Sequence, residues 1–84
     1  MGPFFMFTVY VLYSPGSGKH YTGMTSDLEG RLHSHNELGK GWSSRHRPWV
    51  LIFQKEFDIK AEAMRYEQWL KTGAGRDFVK QLPH

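Results

Sequence analysis

The chain of 84 residues contains no cysteine and no long uninterrupted hydrophobic run. Without cysteine it cannot be a disulfide-stapled secreted scaffold or hold zinc through thiolates. No apolar segment approaches the roughly 20 residues that a membrane-spanning helix needs. The apolar start, residues 1–7, lacks the basic residues and the cleavage site of a signal peptide. These absences predict a cytoplasmic protein that is stabilised by packing.

Acidic residues are fewer than basic ones, 8 against 11, which gives a net charge of +3 and a pI near 9.4. A basic excess of this size favours a polyanionic partner about as strongly as it favours an ordinary basic surface. The apolar share of 39% and the aromatic share of 15% predict a compact globule. We expect one domain over residues 7–82, with residues 1–6 as an N-terminal extension.

The hydrophobic periodicity predicts three strands and three helices. The strands are expected at residues 7–14, 21–24 and 49–57, and the helices at residues 26–38, 59–72 and 77–82. A hairpin followed by a helix and a third strand indicates an α/β (α+β) fold. We therefore predict a small three-stranded, mostly antiparallel sheet flanked by helices, in the order β-β-α-β-α-α.

Capping and breaking residues set the expected helix ends. Ser26 followed by Glu29 has the capping-box pattern, so it predicts the start of the first helix. Asp58 is the expected cap of the second helix, and Gly73 and Gly75 are expected to break it.

The first predicted helix carries polar side chains among its leucines. At 100° per residue, Leu28, Leu32 and Leu38 share one side with Arg31 and His35. A charged group that faces a core needs a partner, because unpaired burial is costly. Alternatively, the arginine reaches past the leucines to solvent and the histidine is a satisfied core residue. The presence of Arg31 and His35 together on the leucine side indicates a functional site.

Two tyrosines lie on either side of the first turn, at Tyr10 and Tyr21. A hairpin brings them together, and the first helix packs against the same sheet. We therefore expect both tyrosines to converge with Arg31 and His35. For each tyrosine alone, a packing role with a bonded hydroxyl is the alternative.

The second helix adds one carboxylate at the border of its apolar stripe. The stripe is expected to consist of Ile59, Ala63, Tyr66 and Leu70. Glu67 lies at its edge, where it can hold a divalent cation or pair with an arginine. An exposed helical glutamate without function is the alternative.

Further residues are candidates for contacts with nucleic acid, through backbone phosphates or, for the tryptophan, by stacking on a base. They are Lys19, Lys40, Trp42, Arg45, Arg47, Lys71 and Arg76. Trp49 is expected in the core. His33 and His35 point to different faces of the helix, so zinc binding there is not predicted.

The triplets TVY at residues 8–10 and YTG at residues 21–23 stand in order before Arg31, His35 and Glu67. In this pattern the chain resembles the GIY-YIG nuclease superfamily over residues 7–82. The resemblance implies hydrolysis of phosphodiester bonds in DNA, in repair or processing, with one Mg²⁺ or Mn²⁺ ion.

The resemblance also implies a role for each matching residue. Tyr10 is the general base toward water, with His35 as the acceptor of its proton. Tyr21 orients the phosphate or the water. Arg31 holds the phosphate and its developing charge, and Glu67 binds the metal.

The sequence departs from the superfamily pattern at a few positions. Thr8 replaces a glycine and Thr22 an isoleucine, while Met24 stands where repair relatives carry a lysine. Asn36 is the one asparagine and lies on the first helix, not at the late position that some relatives use. Two other functions stay open: a nucleic-acid-binding module without useful turnover, and a subunit whose protein partner supplies specificity. RNA is an alternative substrate.

Overall fold

The computed structural model describes residues 6–37 and 43–83. Within them it contains one antiparallel sheet with the strand order β2-β1-β3. The strands are β1 (Phe7–Ser14), β2 (Lys19–Thr25) and β3 (Val50–Phe57). The helices are α1 (Leu28–Glu37), α2 (Lys60–Leu70) and α3 (Gly73–Lys80), with a short 3₁₀ turn at Ser43–His46. The predicted α+β fold and its order β-β-α-β-α-α are confirmed.

Strand β1 is the centre of the molecule because both of its faces are buried. Val9 and Val11 are fully inaccessible and pack with residues of α2 and α3. Tyr10 and Leu12 point to the other face, where they pack with Trp49 and with leucines of α1. The sheet therefore separates two small cores, with α1 on one side and α2 with α3 on the other. Each fully buried side chain of this size contributes roughly 1.5–3 kcal/mol.

Helix α1 begins at Leu28, two residues after the predicted start at residue 26. The backbone N–H of Gly30 donates to Asp27 Oδ1 at 3.1 Å, and the N–H of Asp27 donates to Thr25 Oγ1 at 3.0 Å. Asp27 therefore caps the helix, and the predicted pair of Ser26 and Glu29 is wrong. The physical reason is that β2 extends to Thr25, so the chain turns only after that residue.

Helix α2 starts without the predicted cap. Ile59 occupies the N-cap position, where no side chain accepts a hydrogen bond, so the prediction for Asp58 is wrong. Ile59 is also 53% exposed and is not part of the buried stripe. Ala63 and Leu70 are buried as expected.

Helix α3 begins at Gly73, four residues before the predicted start. The Thr72 side chain caps it by accepting from the backbone N–H of Gly75 at 3.3 Å. A side chain at Gly75 would collide with the backbone of Trp69 and Leu70. The glycine that was expected only to break α2 thus lets α3 fold back closely against its end.

A side-chain amide joins the end of α1 to the start of β3. Asn36 Nδ2 donates to the carbonyl of Trp49 at 3.1 Å, while the N–H of Trp49 donates to Asn36 Oδ1 at 2.6 Å. Arg47 Nε also donates to the carbonyl of His35 at 2.7 Å. At 100° per residue Asn36 falls on the side of α1 opposite the leucines, yet it is partly buried. The predicted helix end at Leu38 lies outside the described residues.

We expect Asn36→Ala to destabilise the protein by about 1–3 kcal/mol, because it leaves two polar backbone groups of Trp49 unpaired. The measurement is the free energy of unfolding in urea. His33→Ala, at an exposed position of the same helix, is the matched control and should change stability by no more than about 0.5 kcal/mol. Equal effects of the two substitutions would contradict this role of the amide.

Candidate functional site

The Tyr10 side chain crosses the edge strand at a glycine. Tyr10 pairs with Gly23 of β2 in the sheet register. A Cβ atom added at Gly23 would lie 2.6 Å from Tyr10 Oη and 2.8 Å from Cζ. Only a residue without a side chain therefore allows the phenol to lie over β2. Since β2 is an edge strand, this crossing places the Tyr10 hydroxyl near the border of the sheet.

Three of the predicted site residues meet on the α1 face of the sheet. Tyr10 Oη lies 3.3 Å from His35 Nε2, within hydrogen-bond distance. The rings of Tyr21 and His35 have centroids 4.4 Å apart, and those of Tyr10 and Tyr21 are stacked at 6.2 Å. His35 is buried, with 8% of its surface exposed. The expected convergence of the two tyrosines with this histidine is present.

Arg31 lies one helical turn before His35, and it is exposed. It reaches solvent past the leucines, which is the alternative that the sequence left open. Its positive charge nevertheless acts on the two buried groups, since it lowers both the pKa of Tyr10 and the pKa of His35. The charge of Arg31 thus acts on the buried pair, while the residue is still accessible to an anion from outside.

Burial sets the protonation of the central pair. It raises the pKa of Tyr10 to about 12, with the neighbouring Tyr21 adding to the effect. Burial also lowers the pKa of His35 below its ordinary value of 6.5, and the charges of Arg31 and Arg47 lower it further. At neutral pH the phenol is therefore protonated and the imidazole neutral. In the tautomer that carries its proton on Nδ1, the imidazole accepts a hydrogen bond from the phenol.

Glu67 lies on α2, which packs on the other face of the sheet. Its side chain is 22% exposed, and Oε1 accepts from Lys71 Nζ at 3.0 Å. Its negative charge makes the smallest of the contributions to the shifted pKa of Tyr10, behind burial, Tyr21 and Arg31. The position at the border of the apolar stripe is as expected.

No cluster of three or more acidic or histidine side chains that could hold a metal exists within residues 6–37 and 43–83. A cation held by Glu67 alone would have one protein carboxylate, with water and substrate as its other ligands. This donor set fits Mg²⁺, which keeps several waters and often binds through one or two carboxylates and a phosphate.

The remaining candidates lie in different surroundings. Arg45 is exposed, whereas Arg47 is half-buried and donates to the carbonyl of His35. Trp49 is 3% exposed and packs edge-on against Tyr21, which confirms its core position. Lys40 and Trp42 lie outside the described residues.

None of the helices described here is long and apolar enough to cross a bilayer.

Sequence reasoning missed two residues that shape this site. Gly23 has no role in the sequence pattern beyond ending a triplet, although the hairpin register indicates that it lies opposite Tyr10. Helical periodicity directs Asn36 toward solvent. Its contact with Trp49 spans 13 positions of sequence, and no local pattern indicates such a pairing.

The lowered pKa of His35 makes stability depend on pH. The unfolded chain binds a proton near pH 6.5, whereas the folded chain resists it, so the unfolded state holds more protons below that pH. We expect the stabilising contribution to be complete above pH 6.5 and to fall as the pH decreases toward the folded pKa.

Urea unfolding at a series of pH values between about 5 and 8 measures this effect. His35→Gln should flatten the dependence, whereas His33→Gln, exposed on the same helix, should preserve it. A dependence that survives His35→Gln would assign the effect to another group.

Comparison with known proteins gives concordant results. The model of the family described as the GIY-YIG catalytic domain matches residues 6–77. A UPF0213 protein of Staphylococcus haemolyticus is 41% identical over 64 residues, which cover 74% of this chain and 77% of the relative. A UPF0213 protein of Staphylococcus saprophyticus is 39% identical over 66 residues, with coverages of 77% and 80%.

One solved structure resembles the chain as well. The solution NMR structure of a UPF0213 protein from Bacillus halodurans aligns with a TM-score of 0.54 and 27% identity, over 88% of this chain and 81% of that chain. Because the family model spans most of the sequence, the chain belongs to the GIY-YIG catalytic domain family, a nuclease fold, and its relatives are small UPF0213 proteins.

Proposed function

We propose that the protein is a divalent-metal-dependent endonuclease that hydrolyses phosphodiester bonds in DNA, in repair or processing within the cytoplasm. The observation that carries the proposal is the 3.3 Å contact between Tyr10 Oη and His35 Nε2. A buried phenol and imidazole are in contact there beside an accessible arginine, and the charge of a carboxylate acts on the phenol. Hydrolysis of a phosphodiester can use such groups as proton acceptor, charge stabiliser and metal ligand.

Tyr10 and His35 act as a proton relay in this proposal. The attacking water transfers a proton to Tyr10 Oη while Tyr10 transfers its own proton to His35 Nε2. A relay is needed because the pKa of Tyr10 is raised to about 12, so that almost no free phenolate exists at neutral pH. His35 is neutral there and can accept the proton. The new P–O bond forms as the bond to the leaving oxygen breaks.

Arg31 binds the phosphate from the solvent side. Its guanidinium can hold two phosphate oxygens through parallel hydrogen bonds and stabilise the charge that builds up on them. Exposure of Arg31 favours this role, since an arginine buried among leucines would be closed to a polymeric substrate. Tyr21, whose ring packs on His35, orients the phosphate or the water through its hydroxyl.

Glu67 is the residue that would hold Mg²⁺ or Mn²⁺. Such a cation would supply Lewis-acid stabilisation of the negative charge that develops during cleavage. In the free protein Lys71 neutralises the carboxylate through an exposed ion pair. Such an i,i+4 pair is worth only about 0.3–0.5 kcal/mol, so it yields readily to a divalent ion.

Glu67→Gln should abolish metal-dependent cleavage, with a loss of at least about 100-fold, because metal assistance is worth several kcal/mol. The measurement is cleavage of labelled single-stranded, duplex, flap and branched DNA, and of RNA, with Mg²⁺, with Mn²⁺ and with chelator. Glu62→Gln, exposed on the same helix, is the matched control and should retain activity.

The same assay tests the two alternative functions, a nucleic-acid-binding module without turnover and a subunit whose protein partner supplies specificity. Salt-sensitive binding without any cleavage by the wild type would support a binding module. Absence of binding together with capture of a defined protein partner would support a subunit.

Tyr10→Phe should slow cleavage by about 10²–10⁴-fold with substrate affinity retained, because it removes the relay hydroxyl and little volume. Gly23→Ala should slow it as well, since the added methyl group displaces that hydroxyl. Tyr66→Phe, on the other side of the sheet, is the control for the loss of a phenol oxygen. If Tyr10→Phe cleaves at the rate of the wild type, the relay is wrong.

A further inference from the structure

A groove lies between edge strand β2 and helix α3, on the face of the sheet that carries α2. It encloses about 480 Å³. Its walls include Lys19, His20 and Thr22 from β2, Leu70 from α2, and Arg76 and Lys80 from α3. We call this feature the basic groove. It is formed only by the tertiary fold, because its two main walls are more than 50 positions apart in the sequence.

The charge of the basic groove has one sign. Lys19, Arg76 and Lys80 are exposed cations, and no carboxylate lines the cavity in the described part of the chain. The one ion pair found within residues 6–37 and 43–83 joins Lys71 to Glu67 and involves none of these three. Converging cations without a counter-charge attract anions and raise their local concentration.

The basic groove adjoins the candidate catalytic site. Leu70 in its wall lies three residues after Glu67 on α2, which is less than one helical turn of about 5.4 Å. Thr22 in the other wall points to the face opposite Tyr21, because successive residues of a strand alternate between the faces of the sheet. The edge strand β2 therefore separates the groove from the tyrosines, and a polyanion that passes around this edge would have one phosphate at the catalytic residues and a neighbouring phosphate at the groove.

The size of the basic groove limits what it can hold. Cavities of about 300–1,000 Å³ take ligands of the size of small molecules. This volume suits a short stretch of one sugar-phosphate strand and not a duplex. Leu70 and Val79 in the wall belong to the buried core, so the three exposed cations are the groups that can contact phosphate oxygens.

We infer that the basic groove binds the phosphodiester backbone of the nucleic-acid strand beside the bond that is cut. The inference rests on the proposed function and deepens it. It brings Lys19 and Arg76, which the sequence offered only as separate candidates, into one site, and it adds Lys80. Because backbone contacts read no sequence, the groove would fix the position of the strand and not its base order.

The test compares two charge-matched double variants of the full chain. Arg76→Gln with Lys80→Gln removes one arginine and one lysine from the groove. Lys60→Gln with Arg65→Gln removes the same charges from exposed positions of α2 outside it. Both are made in the Glu67→Gln background, and thermal melts of each verify that it folds.

The measurement is the salt dependence of binding to a labelled single-stranded oligonucleotide in chelator, followed by fluorescence anisotropy. The slope of log K against log salt should become shallower by about 0.7 for each phosphate that the protein no longer neutralises. For Arg76→Gln with Lys80→Gln we expect one such decrease for each of the two residues. Adding Lys19→Gln should decrease the slope once more. The control pair should keep the slope of the Glu67→Gln protein. Equal slopes for the two pairs would overturn the inference, since only net charge would then matter.

A competition with inorganic phosphate distinguishes a groove that binds a nucleic-acid strand from a groove that binds a free anion. We expect phosphate to displace the oligonucleotide no better than chloride at equal ionic strength. Displacement at lower concentrations by phosphate, abolished in the groove variant, would instead assign the groove to a small anion. Binding is measured without turnover, so failure of cleavage and failure of the groove are distinguishable.

Discussion

The close crossing of Tyr10 over Gly23 is the contact on which the candidate site depends. It requires a glycine on β2, the strand register that pairs the two residues, and an edge position for β2. Once these conditions are met, the hydroxyl reaches His35 on α1 and comes within the field of Glu67 on α2. Displacing this one phenol would separate it from His35 and Glu67, even if the fold were unchanged.

Successive side chains of strand β1 point to opposite faces of the sheet, so the strand contributes to both cores. Val9 and Val11 hold α2 and α3 to one face, while Tyr10 and Leu12 hold α1 to the other. The same strand therefore fixes the distance between the helix that carries His35 and the helix that carries Glu67. This arrangement explains how a chain of 84 residues can position side chains from both of its layers.

Much of this arrangement was predictable from the sequence, because it follows from local periodicity. The predictable part includes the bounds of β1 and the order in which strands and helices follow one another along the chain. It also includes the convergence of Tyr10, Tyr21 and His35. The rest depends on contacts between distant residues. Asp27 displaced Ser26 as a cap because β2 extends further than its pattern indicated, and Asn36 pairs with Trp49 across the loop.

The edge position of β2 has a consequence for assembly. The side chains of the candidate site approach from opposite faces of the sheet and can meet a common substrate only around that open border. A further strand hydrogen-bonded to β2 would lie across the opening between Tyr10 and Glu67. Strand β3 forms the opposite border of the sheet, so a second chain that adds to the sheet can leave the candidate site open only by joining at β3.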